Sequence, residues 1–311
     1  IKLVTGVAGL NEKVINDAGA LQNKRFSMNL DDALAHSNNS YFQVAGSDIG
    51  NERLISYARA LGLGEKTGIN APDESAGKLP YRNNNARIYS HGDDFEVTAL
   101  QLGVMVSAVS NGGKIVVPQI PVARSEKASF QGFMRSETSI PNPTLQRVLP
   151  GMIGAVNYGT ARRAADDSMN IAGKTGSCIG QGSWLGLFAS VAPVVNPKYA
   201  VIVITRGQDE RGKYASAIAG KIYQSLKYRI HDSKEFSNKL PLALKPQQKI
   251  DARTSQKLDT SAGDDADEGD TAKPPPAKNP AVKVVTHQKK YIFEPVVIEV
   301  NREPTRPRIV K

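Results

Sequence analysis

An α+β fold, with an antiparallel sheet flanked by helices, follows from three features of the sequence. Two strand-like runs, Ser183 to Ala192 and Tyr199 to Thr205, are joined by the turn-rich Pro193-Val194-Val195-Asn196-Pro197-Lys198. Just before them stands Asn170-Ile171-Ala172-Gly173-Lys174-Thr175-Gly176-Ser177, so three short strands with tight links make a meander. Apolar residues recur at helical spacing on either side of it. Before it these are Leu145, Val148, Leu149, Met152, Ile153 and Val156; after it Tyr214, Ala217, Ile218, Ile222 and Leu226, with Lys221 among them. Helices outnumber strands.

In chain order, Ile1 to Leu10 reads as the body of a buried helix already under way. Lys2 is anomalous there, because a lysine in an apolar run costs free energy unless it is paired, deprotonated or facing a polar site. Asn29 is a suitable N-cap, with Asp31 and Asp32 in the first turn behind it. The polar cluster Ser37-Asn38-Asn39-Ser40 then interrupts the helix and predicts a loop or tight corner, with His36 read as structural. Asn51 is expected to cap a helix to about Leu61, ended by Gly62, before a loop-rich connection from Gly64 to Pro80. Thr98 opens a helix with Leu100, Val104 and Ala108 on one face, closed by Asn111-Gly112-Gly113. A strand follows at Lys114 to Val117, and Asn142-Pro143 starts the next helix, where proline suits the first turn.

Composition shifts after about Ile230, dividing the chain into a globular part at 1–230, a disordered linker at 231–290 and a C-terminal segment at 291–311. Asp264, Asp265, Asp267, Glu268 and Asp270, then Pro274-Pro275-Pro276 and a lysine-rich stretch, cannot bury a core. Tyr291 to Val300 alternates enough for one strand or a docking peptide.

The chain has 311 residues and starts at Ile1 rather than methionine, so it is read as a fragment or a processed product. No apolar run is long enough to span a bilayer, and any anchor is expected upstream. A net charge of +10 favours anionic partners. The basic residues are scattered without aromatic interleaving, which argues against nucleic acid. A single cysteine, Cys178, excludes an internal disulfide, and no histidine is placed to activate it as a nucleophile.

The Lys174-Thr175-Gly176 triplet puts a cation, a hydroxyl and a bare backbone on the first strand of the meander, where an extended peptide ending in a carboxylate can approach closely. Taken alone, Lys174 also fits a solvated strand lysine. A phosphate loop requires glycine five residues before Gly173, and Ser168 stands there. A second triplet, Lys66-Thr67-Gly68, follows a helix and has no strands behind it, so it reads as a loop.

Lys2, then Ser37-Asn38-Asn39, then Lys174-Thr175-Gly176 occur in the order of the Ser-x-x-Lys, Ser-x-Asn and Lys-Thr-Gly motifs of β-lactamases and penicillin-binding proteins. In this the chain resembles the penicillin-binding transpeptidase domain. Ala33-Leu34-Ala35-His36-Ser37-Asn38-Asn39-Ser40-Tyr41-Phe42 is similar to the second motif in its usual context. Leu61-Gly62-Leu63-Gly64, Thr67-Gly68-Ile69, Glu74, Gly77, Val97-Thr98-Ala99-Leu100-Gln101-Leu102 and Asn111-Gly112-Gly113 resemble the class B, monofunctional branch. The likeness covers roughly residues 1 to 228. Its largest departure is that, with Lys2 as the motif lysine, the nucleophilic serine falls two residues before Ile1, outside the chain. Ser177 also stands where threonine is commoner, preserving the hydroxyl.

The resemblance implies a small antiparallel sheet between helices with an all-helical lobe beside it. It implies a D,D-transpeptidase that cross-links peptidoglycan stem peptides through an acyl-serine and is inhibited by β-lactams. Lys2 is then the base, Lys174 a nearby cation and Ser37 the proton relay to the leaving amine. Asn39 holds Lys2 and the substrate amide, Thr175 and Ser177 bind the terminal carboxylate, and the Ser177 N–H completes an oxyanion hole. No metal or cofactor is implied. The family is anchored in the bacterial inner membrane with the catalytic domain outside the cytoplasm, where cell-wall synthesis partners are expected. A D,D-carboxypeptidase using the same acyl-enzyme, and a non-catalytic sensor that has lost its serine, remain alternatives.

Overall fold

In the computed structural model the described residues are 1–22, 26–81, 85–120, 132–180, 182–231 and 239–247. The apolar opening run forms helix α1 (Lys2–Asn11), buried from Leu3 to Leu10. Asn29 caps α2 (Leu30–Ala35) by accepting the Asp32 N–H at 3.0 Å. The chain then turns sharply: Ser37 sits at φ +55°, and Asn38 caps α3 (Asn39–Ile49) by accepting the Tyr41 N–H at 2.8 Å. The next helix, α4 (Asn51–Ala60), has Gly50 in its capping position at φ +86°, so Asn51 is its first residue rather than its cap. These four helices pack on one another as the helical lobe.

Thr98 opens α5 (Ala99–Ser110) with a full capping box, its hydroxyl taking the Gln101 N–H while the Gln101 side chain takes the Thr98 N–H. The helix is buried almost all round, and Leu100, expected on its core face, lies exposed on the first turn. Strand β1 (Lys114–Val117) pairs antiparallel with β2 (Phe133–Glu137). That partner is exposed along its whole length, so no alternation marks it in the sequence. The helix expected from Asn142 is two helices, α6 (Asn142–Gln146) and α7 (Leu149–Asn157). Pro150 separates them: it has no N–H to give a carbonyl four residues back, and its ring crowds that carbonyl.

Strands β3 (Ala172–Gly180), β4 (Ser183–Ala192) and β5 (Tyr199–Gly207) form the expected meander, antiparallel in the order β3-β4-β5. Period-2 alternation gives the sheet two buried faces. Phe188, Ala192, Val201 and Val203 pack with Ala215, Ala219 and Tyr223 of α8 (Gly212–His231). Leu187, Ala189, Val191 and Ile202 join the larger core built by α1, α2, α5 and α7. The packed side of α8 therefore differs from the apolar spacing. Ala215, Ser216, Ala219 and Tyr223 are buried, whereas Ile218 and Ile222 are exposed. Small residues take the packed positions because close approach leaves no room there: a Cβ on Gly212 would lie 2.8 Å from that of Thr175 on the sheet, and one on Gly220 would meet the Ala164 Cα of the neighbouring turn at 3.0 Å.

Residues 239–247 also correct an expectation, since they lie inside the stretch read as a linker. Leu244 is buried and Leu240 packs against the large core. The Asn29 amide donates to the Gln247 carbonyl at 2.6 Å, and the Gln247 N–H donates to Asp31 at 3.0 Å. Two leucines and a buried carboxylate offer this short segment what its polar neighbours lack. The acidic run, the proline triplet and the 291–311 segment lie outside the described residues.

Candidate active site

The edge strand β3 carries the Lys-Thr-Gly triplet. Gly173, just before it, is required by packing, because a Cβ there would lie 2.3 Å from the Phe188 ring. Pairing sets Lys174 opposite Ala189 and Thr175 opposite Phe188, so the two side chains leave opposite faces of the strand. Both are buried, and the Lys174 ammonium donates to the Thr175 carbonyl at 3.0 Å and lies 3.5 Å from the Thr175 hydroxyl. At Gly176 a Cβ would make only ordinary contact with Leu187, so neighbouring packing does not demand the glycine. The N-terminus of α8 crosses this segment: the Gly212 N–H donates to Ser177 Oγ at 2.9 Å, and a Cβ on Gly212 would lie 2.8 Å from that of Thr175.

Lys2 opens α1, half-buried. The charges of Lys2 and of Lys174 both reach the Ile1 nitrogen at the head of α1. A Cβ on Gly92 would approach Ile1 at 3.3 Å, and Thr5 donates to the Tyr89 carbonyl at 2.8 Å, so the loop around 89–92 borders the same point.

Ser37, on the corner between α2 and α3, is buried at positive φ. Asn39 starts α3, and its buried Oδ1 accepts no hydrogen bond among the described residues. What joins this corner to the triplet is Tyr158-Gly159-Thr160, which sequence reasoning missed. The Thr160 N–H donates to the Ala35 carbonyl at 3.0 Å, and the Thr160 and Thr175 hydroxyls lie 2.6 Å apart. Gly159 must be glycine, because a Cβ would sit 2.1 Å from the Ala35 oxygen. The Tyr158 ring lies against His36, and its hydroxyl donates to Asp32 at 3.2 Å. No periodicity marks these residues; only the bonded partners reveal them.

The remaining candidates separate cleanly. Lys66-Thr67-Gly68 is a loop whose Thr67 hydroxyl and N–H, with the Gly68 N–H, all donate to the Glu74 carboxylate at 2.5 to 3.0 Å. This copy grips an internal acid. Cys178 is an exposed residue whose sulfur is partly covered by its surroundings; that desolvation outweighs Arg206 and pushes the thiol up, against a thiolate nucleophile.

The family profile for the penicillin binding protein transpeptidase domain matches residues 2–224, and the chain belongs to that family. Among curated relatives it is 27% identical over 225 residues to the peptidoglycan D,D-transpeptidase MrdA of Acinetobacter baumannii, covering 62% of this chain and 33% of that protein. It is 26% identical over 211 residues to the stage V sporulation protein D of Bacillus subtilis, covering 61% and 32%. The chain thus spans about a third of the length of these relatives. Among solved structures, penicillin binding protein 3 of Mycobacterium tuberculosis complexed with aztreonam superposes with a TM-score of 0.60 at 21% identity, covering 79% of this chain and 64% of that one. Penicillin binding protein 2 of Pseudomonas aeruginosa, in complex with WCK 5153, gives 0.59 at 22%, covering 78% and 61%. These structures share the fold.

Proposed function

We propose that the protein containing this chain is a peptidoglycan D,D-transpeptidase that works through an acyl-serine, with the serine two residues before Ile1. The observation that carries this is the buried Lys174-Thr175 pair on the edge strand β3, with the Thr175 hydroxyl 2.6 Å from that of Thr160, whose N–H is bonded to Ala35 beside the Ser37 corner. In an α-helix a residue three positions before Lys2 lies on the same face one turn earlier, so its hydroxyl would meet that lysine.

In this reading Lys2 takes the serine proton as Oγ attacks the penultimate D-alanine carbonyl. Lys174 supplies positive charge, and the Ser177 N–H, with that of the serine, holds the developing oxyanion; removing one such donor typically costs about 3 to 4 kcal/mol. The C–N bond then breaks, and Ser37 passes a proton to the departing D-alanine amine. Asn39, with an Oδ1 still to be satisfied, receives the Lys2 amine or the substrate amide. Thr175 and Ser177 hold the terminal carboxylate. An acceptor amine on a second stem peptide attacks the ester, releasing serine and forming the cross-link.

β-Lactams acylate the same serine by opening their ring. The substrate lies outside the cytoplasm, which places the catalytic domain on the outer face of the inner membrane, anchored by upstream sequence. No helix among the described residues is long and apolar enough to cross a membrane. Incubation of the serine-containing protein with stem-peptide substrates and analysis of the products tests the reaction. Cross-linked dimers are expected; release of D-alanine without dimers would identify a carboxypeptidase instead, and no turnover would defeat both.

A further inference from the structure

Thr175 is placed between an ammonium and a second hydroxyl. Its Oγ1 lies 3.5 Å from the Lys174 ammonium on one side and 2.6 Å from the Thr160 hydroxyl on the other. Thr160 is held from behind, its N–H donating to the Ala35 carbonyl at 3.0 Å and its hydroxyl 3.4 Å from the same oxygen. Each hydroxyl has one proton, so the short contact runs in one of two directions. If Thr175 donates, its proton is spent on Thr160, which turns its own to Ala35. If Thr160 donates, Thr175 keeps its proton for a ligand.

A carboxylate presents only acceptors, so a Thr175 that binds it must donate. Binding therefore selects the second direction, and the two hydroxyls become a chain in which Thr160 polarises Thr175 toward the anion. We propose that Thr160 is a positioning residue of the transpeptidation site, orienting the Thr175 hydroxyl as donor to the ligand carboxylate and tying that orientation to the Ser37 corner through Ala35. This rests on the assignment of Thr175 to the carboxylate.

The test uses the complete serine-containing protein and compares acylation rates by ampicillin and by its methyl ester, which lacks the anionic carboxylate. Thr160→Val keeps the shape and removes the hydroxyl. It is expected to slow acylation by ampicillin about tenfold, the worth of one hydrogen bond to a charged group, and the ester much less. Thr160→Ser should restore the wild-type ratio. In a Thr175→Val background Thr160→Val should add nothing, because the chain is already cut. Melting temperatures accompany each variant, with Thr160→Ala used in place of valine if that variant melts early. Equal slowing of both ligands, additive effects, or no effect in a labelled protein would overturn the positioning role while leaving the transpeptidase reading intact. Absence of labelling in the wild type would overturn that reading and this inference with it.

Discussion

The two Lys-Thr-Gly triplets show how little a tripeptide fixes alone. Lys66-Thr67-Gly68 closes on Glu74 inside its own loop, whereas Lys174-Thr175-Gly176 lies on an edge strand with the Lys174 and Thr175 side chains buried. Lys174→Ala is expected to slow β-lactam acylation of the complete protein by orders of magnitude, because in the proposed site it removes the cation that serves Lys2 and the carboxylate. Lys66→Ala should leave it near wild type, as exposed loop substitutions usually do; equal effects in a stopped-flow acylation assay would sink the assignment. Glu74 offers a separate check. Burial raises its carboxyl, but the Thr67 hydroxyl, the two N–H groups and Lys66 outweigh that, and the net shift is downward. A depressed carboxyl stabilises the fold above its unfolded value of about 4.3 and loses that contribution as pH falls through the lower folded value. The melting-temperature gap between wild type and Glu74→Gln should therefore be full at pH 6 and shrink below pH 4; a constant gap contradicts the three-donor cradle. At this scale the triplets and the Asn29 and Thr98 caps were legible, because each depends on neighbours within a few positions. Thr160 was not, because its partners lie 15 and 125 residues away.

Among the elements, the meander was legible because alternation and turn residues agreed over three consecutive strands. The α6–α7 break was legible in principle from Pro150, but the apolar spacing runs straight across it and masked it. For α8 the spacing selected the wrong side: a helix that lies close on a sheet presents alanine, not isoleucine. Ala219→Leu should therefore cost about 1 to 3 kcal/mol by overpacking, and Ile218→Ser less than about 0.5, in urea denaturation. A reversed order would place the isoleucines in the core. The 239–247 segment was missed because its leucines are few and its partners, Asn29 and Asp31, are more than 200 residues away. Ending the chain after residue 238 removes one donor from fully buried Asp31, leaving Arg147 at 2.5 Å, and uncovers the Leu244 site. This should lower stability by about 2 kcal/mol or more. Ending it after 247 should change the melting temperature little, since the acidic and proline-rich composition beyond has few apolar groups to bury. If both truncations melt with the intact chain, the segment does not anchor the domain.

At the scale of the whole molecule, the described residues set a helical lobe and a two-sided sheet on a shared core. The Ser37 corner reaches β3 through Ala35 and Thr160, where the Thr160 hydroxyl meets Thr175. In the proposed site Lys2 joins them from α1, and the catalytic claim depends on what lies one turn before Lys2. The direct measurement is covalent labelling of the complete protein by a fluorescent penicillin, with the site located by mass spectrometry. The expected result is an adduct that survives denaturation, carried by a serine two residues before Ile1 and lost when that serine becomes alanine. The chain from Ile1 onward should form none. An adduct on any residue from Ile1 onward, or a residue other than serine at that upstream position, would contradict the acyl-serine mechanism.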